Sequence, residues 1–261
     1  MPIISTFCKK GGVGKTTFLG YLAHFYANQG KTVLIISADD QNSIFKIFGC
    51  ENFVTDNDND FFENLLVGEK KPEEVVFEAR PGMYLMKTLN TDRLSINLTL
   101  KRSEEKKLRG LIEDFTNYFD YIFIDFPPSS SRLTEILLDI SEKILLVVGL
   151  DPLGIDGYKN TIQYFVDCDI EISKISHIIP IGYHPIKITP NKSLKELKNL
   201  AQNYSPDAII ATPIKDKAVI QNLQSEGISV FDNHMMKDKF HQKNLNEISK
   251  DLTEVYKSIV L

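Results

Sequence analysis

Nine residues near the start of the chain, Lys9-Lys10-Gly11-Gly12-Val13-Gly14-Lys15-Thr16-Thr17, have the types and spacing of an anion cradle. Glycines let backbone N–H groups crowd around a phosphate, and a helix opening at the end of the loop adds its partial positive charge. In such a loop Lys15 reaches the β- and γ-phosphates of a nucleotide, and the Thr16 hydroxyl ligates Mg²⁺. Two carboxylates complete the chemistry. Asp125 closes the apolar run Phe119-Asp120-Tyr121-Ile122-Phe123-Ile124-Asp125 and is followed by Phe126-Pro127-Pro128-Ser129-Ser130-Ser131. A carboxylate at the tip of a buried strand holds Mg²⁺, often through water. Asp39, in Ser37-Ala38-Asp39-Asp40-Gln41-Asn42, stands where activation of an attacking water would need a carboxylate.

These residues need strands and helices to converge. Apolar runs at 3–8, 31–36, 83–87, 119–125, 143–148, 175–182 and 207–212 read as strands. Their near-continuous hydrophobicity fits a parallel sheet buried on both faces. Helical spacing follows at 18–25, 43–48, 61–66, 103–118, 154–166, 190–203 and 238–258. The expected fold is an α/β, doubly wound, mostly parallel sheet flanked by helices, with nucleotide lying across the C-terminal ends of the strands. Asp40 reads as a cap for the helix at 43–48. The acidic segment 51–80, with Asp56-Asn57-Asp58-Asn59-Asp60, reads as solvated surface; it lacks the glycine and terminal Glu of a calcium loop.

The loop departs from G-x-x-x-x-G-K-[ST], because Lys9 occupies the first glycine position and a second lysine, Lys10, follows. This K-G-G-x-G-K-T pattern resembles the deviant Walker A motif of the ParA/MinD family of P-loop ATPases. The Asp-x-Pro-Pro-Ser stretch from Asp125 is similar to that family's Walker B and switch II. The 37–41 turn is similar to its Walker A′, except that Ser37 replaces the first aspartate and Asp40 the proline. The segment 225–231 is similar to its Gly-x-Pro-Val region. The resemblance spans the whole chain, strongest before residue 150, and implies a single ParA-like ATPase domain over 1–261.

What the resemblance implies is specific. Lys10 would cross a dimer interface to the nucleotide of the other subunit. Gly11, Gly12, Val13, Gly14, Lys15, Thr16 and Thr17 would bind ATP. Thr16, Asp39 and Asp125 would serve Mg²⁺ and the attacking water, with Lys10, Lys15, Asp39 and Asp125 as the catalytic set. Tyr183, His184, Pro213 and Ile214, at two strand ends, would hold the adenine. Lys187, Lys192, Lys195, Lys198, Lys215 and Lys217 would contact double-stranded DNA without sequence preference, and strongly salt-dependently. The implied protein is a slow ATPase that pairs with itself as an ATP-dependent homodimer. It would be stimulated by a ParB-like centromere-binding partner and drive plasmid or chromosome segregation. Two alternatives stand beside it: a MinD-like or cargo-positioning ATPase acting on a protein or membrane partner, and an ATP-binding module with little hydrolysis.

Composition narrows the classes. The 261 residues are 43% hydrophobic and 25% charged, as in ordinary globular chains. The net charge of −5 confines nucleic-acid contact to a local patch. No apolar run approaches the roughly 18 residues of a membrane span. The last helix balances acidic and basic residues, unlike a membrane-binding tail. Cys8, Cys50 and Cys168 are scattered without metal-ligand spacing, which fits apolar fillers in a reducing cytosol. With none near Asp125, an iron–sulfur relative is excluded. The first strand begins almost at once, so neither a signal peptide nor a helix-turn-helix extension is expected. The expected location is cytoplasmic and nucleoid-associated.

Overall fold

The computed structural model describes residues 2–55, 62–215, 218–232 and 239–259. Its strands are β1 (Ile3–Phe7), β2 (Val33–Ser37), β3 (Val76–Arg80), β4 (Met83–Met86), β5 (Tyr121–Asp125), β6 (Lys143–Gly149), β7 (Ile175–Tyr183), β8 (Ile209–Ile210) and β9 (Ile214–Lys215). They form one sheet in the order β3-β4-β2-β5-β1-β6-β7-β8, with β9 also on β7. Among the described pairs only β3–β4 is antiparallel. The doubly wound, mostly parallel sheet expected from the apolar runs is therefore present.

The helices begin with α1 (Lys15–Ala27), α2 (Ser43–Ile47), α3 (Asn52–Thr55), α4 (Phe62–Val67), α5 (Pro72–Val75) and α6 (Thr91–Leu100). They continue with α7 (Arg102–Phe115), α8 (Arg132–Ile140), α9 (Pro152–Asp167), α10 (Ile188–Tyr204), α11 (Ala218–Ser225) and α12 (Lys239–Ser258). Side-chain alternation along the strands splits the core into two layers. Val33 and Ile35 pack with α1, α2, α11 and α12. Leu34 and Ile36 face the other way, toward α4 and α6–α10. Every residue of β1 and β2 is buried, which is why these strands read as continuous rather than alternating runs.

Several elements differ from the sequence reading. The helix expected at 103–118 is α7, and α6 precedes it as a separate helix capped by Asn90, whose side chain accepts from Arg93 N–H. Only Leu94 and Leu98 of α6 are buried, too sparse a pattern to stand out. β3 lies inside the acidic segment as a partly exposed edge strand. The strand expected at 207–212 shrinks to Ile209–Ile210, and the chain re-pairs at β9 after Pro213, which has no N–H for a ladder. Asn42, at φ 45°, heads α2, while the Asp40 carboxylate accepts from Gln41 Nε2 and Thr91 Oγ1. The Asp56–Asp60 stretch lies outside the described residues.

Close backbone contact sets the rim of the site. A Cβ on Gly154 would fall 2.0 Å from the Gly149 carbonyl oxygen, so glycine alone lets the start of α9 seat on the end of β6. That contact fixes Asp151, whose carboxylate accepts from Gly154 N–H at 2.9 Å and caps α9.

Candidate functional site: a phosphate-binding cleft

The glycine loop joins β1, at the centre of the sheet, to α1. Gly12 and Gly14 adopt φ 71° and 90°, conformations a side chain would strain. The loop opens into a cleft of about 700 Å³ lined by Gly11 through Thr17, Asp39, Phe126, Pro128, Ile181, Ile214 and the inner face of α11. Seven consecutive loop residues therefore meet at one cavity, as their types required.

Lys15 is buried and donates from Nζ to the carbonyls of Lys10 (3.0 Å) and Cys8 (3.3 Å). Burial holds its pKa below the usual lysine value, opposed by the nearby Cys8, Asp125 and Asp39. The loop thus keeps the amine folded over its own backbone, at the floor where phosphate charge would arrive.

Asp125 is wholly buried at the end of β5. Thr16 Oγ1 donates to its Oδ1 at 3.1 Å, while its Oδ2 has no hydrogen-bond partner. Burial raises its pKa to about 7; the Thr16 hydrogen bond and Lys15 pull it down, and Asp39 pushes it up. A buried carboxylate oxygen without a donor is costly unless something cationic completes it. Thr16 and Asp125 are oxygen donors of the kind Mg²⁺ takes, alongside phosphate and water. The residues present fit that ion.

Asp39 lines the cleft, and its Oδ1 accepts from Gln41 N–H at 3.0 Å. Its charge reaches both Lys15 and Asp125. Ser37, where the resembling pattern has aspartate, is fully buried. Its Oγ donates to the Asp39 carbonyl at 2.9 Å, so it pins the turn that presents Asp39.

Lys10 behaves unlike Lys15. It does not line the cleft; its Nζ sits 2.9 Å from Asp151 Oδ1. Gly157 of α9 makes room for it, since a Cβ there would meet Lys10 Cβ at 3.0 Å.

The expected base contacts are only partly gathered. Ile214 lines the cleft, together with Lys215. Tyr183 packs against the core, and the His184 carbonyl and ring nitrogen are engaged by Asn191 Nδ2 and Ile186 N–H. Pro213 lines a separate cavity of about 160 Å³ with Asp251 and Glu254. Tyr183, His184 and Pro213 are therefore not among the cleft residues: β7 runs past Gly182, and β9 turns Ile214, not Pro213, inward. Ile181, Ile220, Gln221 and Gln224 line the cleft beside Ile214 instead, and Gln224 Nε2 donates to Thr17 Oγ1. Ile181 lies in the strand expected at 175–182, and the signal for Ile220, Gln221 and Gln224 was only a short amphipathic stretch after β9.

The loop that follows α11 is anchored by a buried ion pair. Arg80 Nε and Nη2 each reach an oxygen of Asp232 at 2.8 Å, and Arg80 Nη2 also donates to the Gly227 carbonyl. His24 of α1 shares a 2.8 Å hydrogen bond with Ser229 Oγ. Ser229 is wholly buried, so this Ser–His–Asp grouping is a tether and not a nucleophile.

Of the expected DNA lysines, Lys187, Lys192, Lys195 and Lys198 are not among the cleft residues, whereas Lys215 is. Lys187 precedes α10, and Lys192, Lys195 and Lys198 stand exposed along it with no ion-pair partner among the described residues. Lys215 sits 3.9 Å from Asp251, and Lys217 lies outside the described residues.

Comparison with known proteins adds the family. The AAA_31 family model, described as an AAA domain, matches residues 1–176. The chromosome-partitioning ATPase Soj of Treponema pallidum is 23% identical over 92% of this chain and 94% of its own. The chain belongs to the ParA/MinD family of P-loop ATPases. Another relative, the cell division protein PomZ of Myxococcus xanthus, is 26% identical over 85% of this chain and 69% of its own. Among solved structures, apo McdA of Cyanothece superposes with a TM-score of 0.80 at 17% identity, covering both chains fully. MinD in the MinC:MinD complex of Aquifex aeolicus gives 0.68 at 18%, covering 97% and 96%. These structural likenesses carry the ParA/MinD fold. Membership makes the chain a nucleotide-binding ATPase. Among the described residues no helix is long and apolar enough to cross a membrane.

Proposed function

We propose that this chain is a partition-type ATPase whose ATP-bound form is a homodimer that holds DNA. The observation that carries the reading is Lys10, a loop lysine that neither lines its own cleft nor folds over the loop backbone but is held at the rim by a half-exposed carboxylate. A partner protomer's triphosphate would compete with Asp151 for that ammonium. Leu153, Ile186 and Ile188 are exposed beside the same strand ends, apolar surface that pairing would cover.

Within each protomer the division of labour follows the geometry. Backbone N–H groups of Gly12 to Thr17 cradle the phosphates, and Lys15 turns from the loop carbonyls to them. Thr16 and Asp125 would hold Mg²⁺, which would supply neutralising charge to the phosphate oxygens. Asp39 orients the attacking water from the side wall. Ile181 and Ile214 flank the base, with Gln221 and Gln224 within reach of its edge. Lys187, Lys192, Lys195 and Lys198 would neutralise DNA phosphates, and a dimer would double that patch. A ParB-like centromere-binding partner would stimulate slow hydrolysis and release the DNA.

The test is ATP-dependent duplex binding alongside turnover. Wild type should retain DNA only with ATP and Mg²⁺, Asp39→Ala should retain it without hydrolysis, and Lys195→Glu with Lys198→Glu should lose it. DNA binding indifferent to nucleotide would refute the partition reading. Retention on anionic vesicles instead would favour the positioning alternative.

A further inference from the structure

We propose that the outer face of α6 is the docking site for an acidic amphipathic helix of the stimulating partner. The inference rests on the reading of the chain as a partner-regulated ATPase and gives that partner's chemistry. Leu94 and Leu98 bury the inner face of α6, while Ile96 and Leu100 on the opposite face are 59% and 75% exposed. Leu89, seven residues before Ile96 and just ahead of the helix, is 55% exposed. The four-residue spacing aligns Ile96 and Leu100 as one apolar stripe on the helix, and Leu89 lies before the extended Asn90 cap.

Charge fixes the kind of occupant. Arg93 flanks the stripe, and Lys101 and Arg102 form the corner where α6 passes into α7; all are exposed without an acidic partner among the described residues. Lys106 follows one turn on, also exposed and unpaired, whereas Lys107 is matched by Glu104 at 3.3 Å. Asp92, at the N-terminal end, is the only carboxylate in α6. An apolar stripe rimmed by unpaired cations complements a helix with leucine on one face and glutamate beside it.

The position lets docking be felt at the cleft. Thr91 Oγ1, in the first turn of α6, donates to Asp40 Oδ2 at 3.4 Å, next to Asp39. Ser95 Oγ accepts from Leu133 N–H at 3.4 Å, in the first turn of α8. α8 begins straight after the Pro127–Ser131 segment, which borders the cleft at Pro128. A load on α6 therefore bears on both carboxylate-bearing strand ends.

A fluorescein-labelled 15-residue helical peptide, with leucine at spacings of four, three and four and glutamate elsewhere, provides the probe. Anisotropy is read at low salt with nucleotide-free protein, so its outcome is independent of ATP turnover; turnover failing while the peptide binds would refute only the ATPase reading. Saturable binding is expected, weakened at least tenfold both by Ile96→Ser with Leu100→Ser and by Lys101→Glu with Arg102→Glu. Circular dichroism should show both surface variants folded, and a lysine-for-glutamate peptide should not bind. Absence of saturable binding, or equal affinity for the variants or the lysine peptide, overturns the proposal. So does α6-dependent retention on phosphatidylglycerol vesicles without peptide binding, or loss of ATP-dependent pairing in the Ile96/Leu100 variant.

Discussion

Replacing Asp125 by asparagine should stabilise the nucleotide-free protein, although it removes a proposed Mg²⁺ ligand. The carboxylate is fully buried, one oxygen has no donor, and burial lifts its pKa from 3.8 to about 7. A raised carboxylate pKa means that the folded chain holds a proton the unfolded chain gives up. Stability is then fully present below pH 3.8 and falls as pH rises toward 7. At 1.36 kcal/mol per pH unit that interval corresponds to about 4 kcal/mol, of which relaxation around the charge should leave about 2–4. Asparagine keeps an acceptor for Thr16 and carries no charge. Urea unfolding of wild type and Asp125→Asn in EDTA, from pH 4.5 to 8, gives a difference curve in which other titrating groups cancel. The variant should gain about 2–4 kcal/mol relative to wild type across that range. With Mg-ATP the order should reverse, because only wild type gains binding energy from the ion. A flat difference curve would refute the view of Asp125 as an uncompensated charge awaiting a cation.

Other outcomes follow from the same geometry. Asp151→Asn keeps the α9 cap but frees Lys10, so ATP-dependent pairing should tighten about two- to fivefold, the worth of an exposed ion pair; light scattering at graded protein concentrations would show it. Arg80→Met leaves Asp232 buried without its bidentate partner and should cost about 3–5 kcal/mol in chemical unfolding. His24, which burial holds at a pKa of about 4, contributes stability that is present above pH 6.5 and lost as pH falls toward 4. His24→Gln should flatten that acid limb in the same unfolding series. Gly157→Ala should push Lys10 off Asp151 and alter pairing without changing ATP affinity, measured by calorimetry.

Legibility in the sequence followed how local the physics was. Lys15, Thr16 and the loop glycines were readable because phosphate chemistry dictates both residue type and spacing over a few positions. Asp125 and Asp39 were readable because an apolar run ending in a carboxylate marks the tip of a buried strand. The end of the cleft proposed for the base was not. Ile181, Gln221 and Gln224 come together only because β9 re-pairs with β7 and α11 folds back over α1, contacts separated by up to 207 residues in the Gln224–Thr17 case. α6 was missed because its two buried leucines supply too little periodicity, and β3 because an edge strand in acidic sequence resembles solvated surface. The role of Ser37 emerged only from its hydrogen bond to the Asp39 carbonyl.

The central claim is that Lys10 serves a nucleotide held by another copy of the chain. Multi-angle light scattering with ATP and Mg²⁺, run on wild type and Lys10→Ala under conditions where both bind ATP, tests it most directly. Wild type should shift from one chain mass to two, and the variant should remain at one. Two single-mass profiles, or two that double alike, would contradict the account.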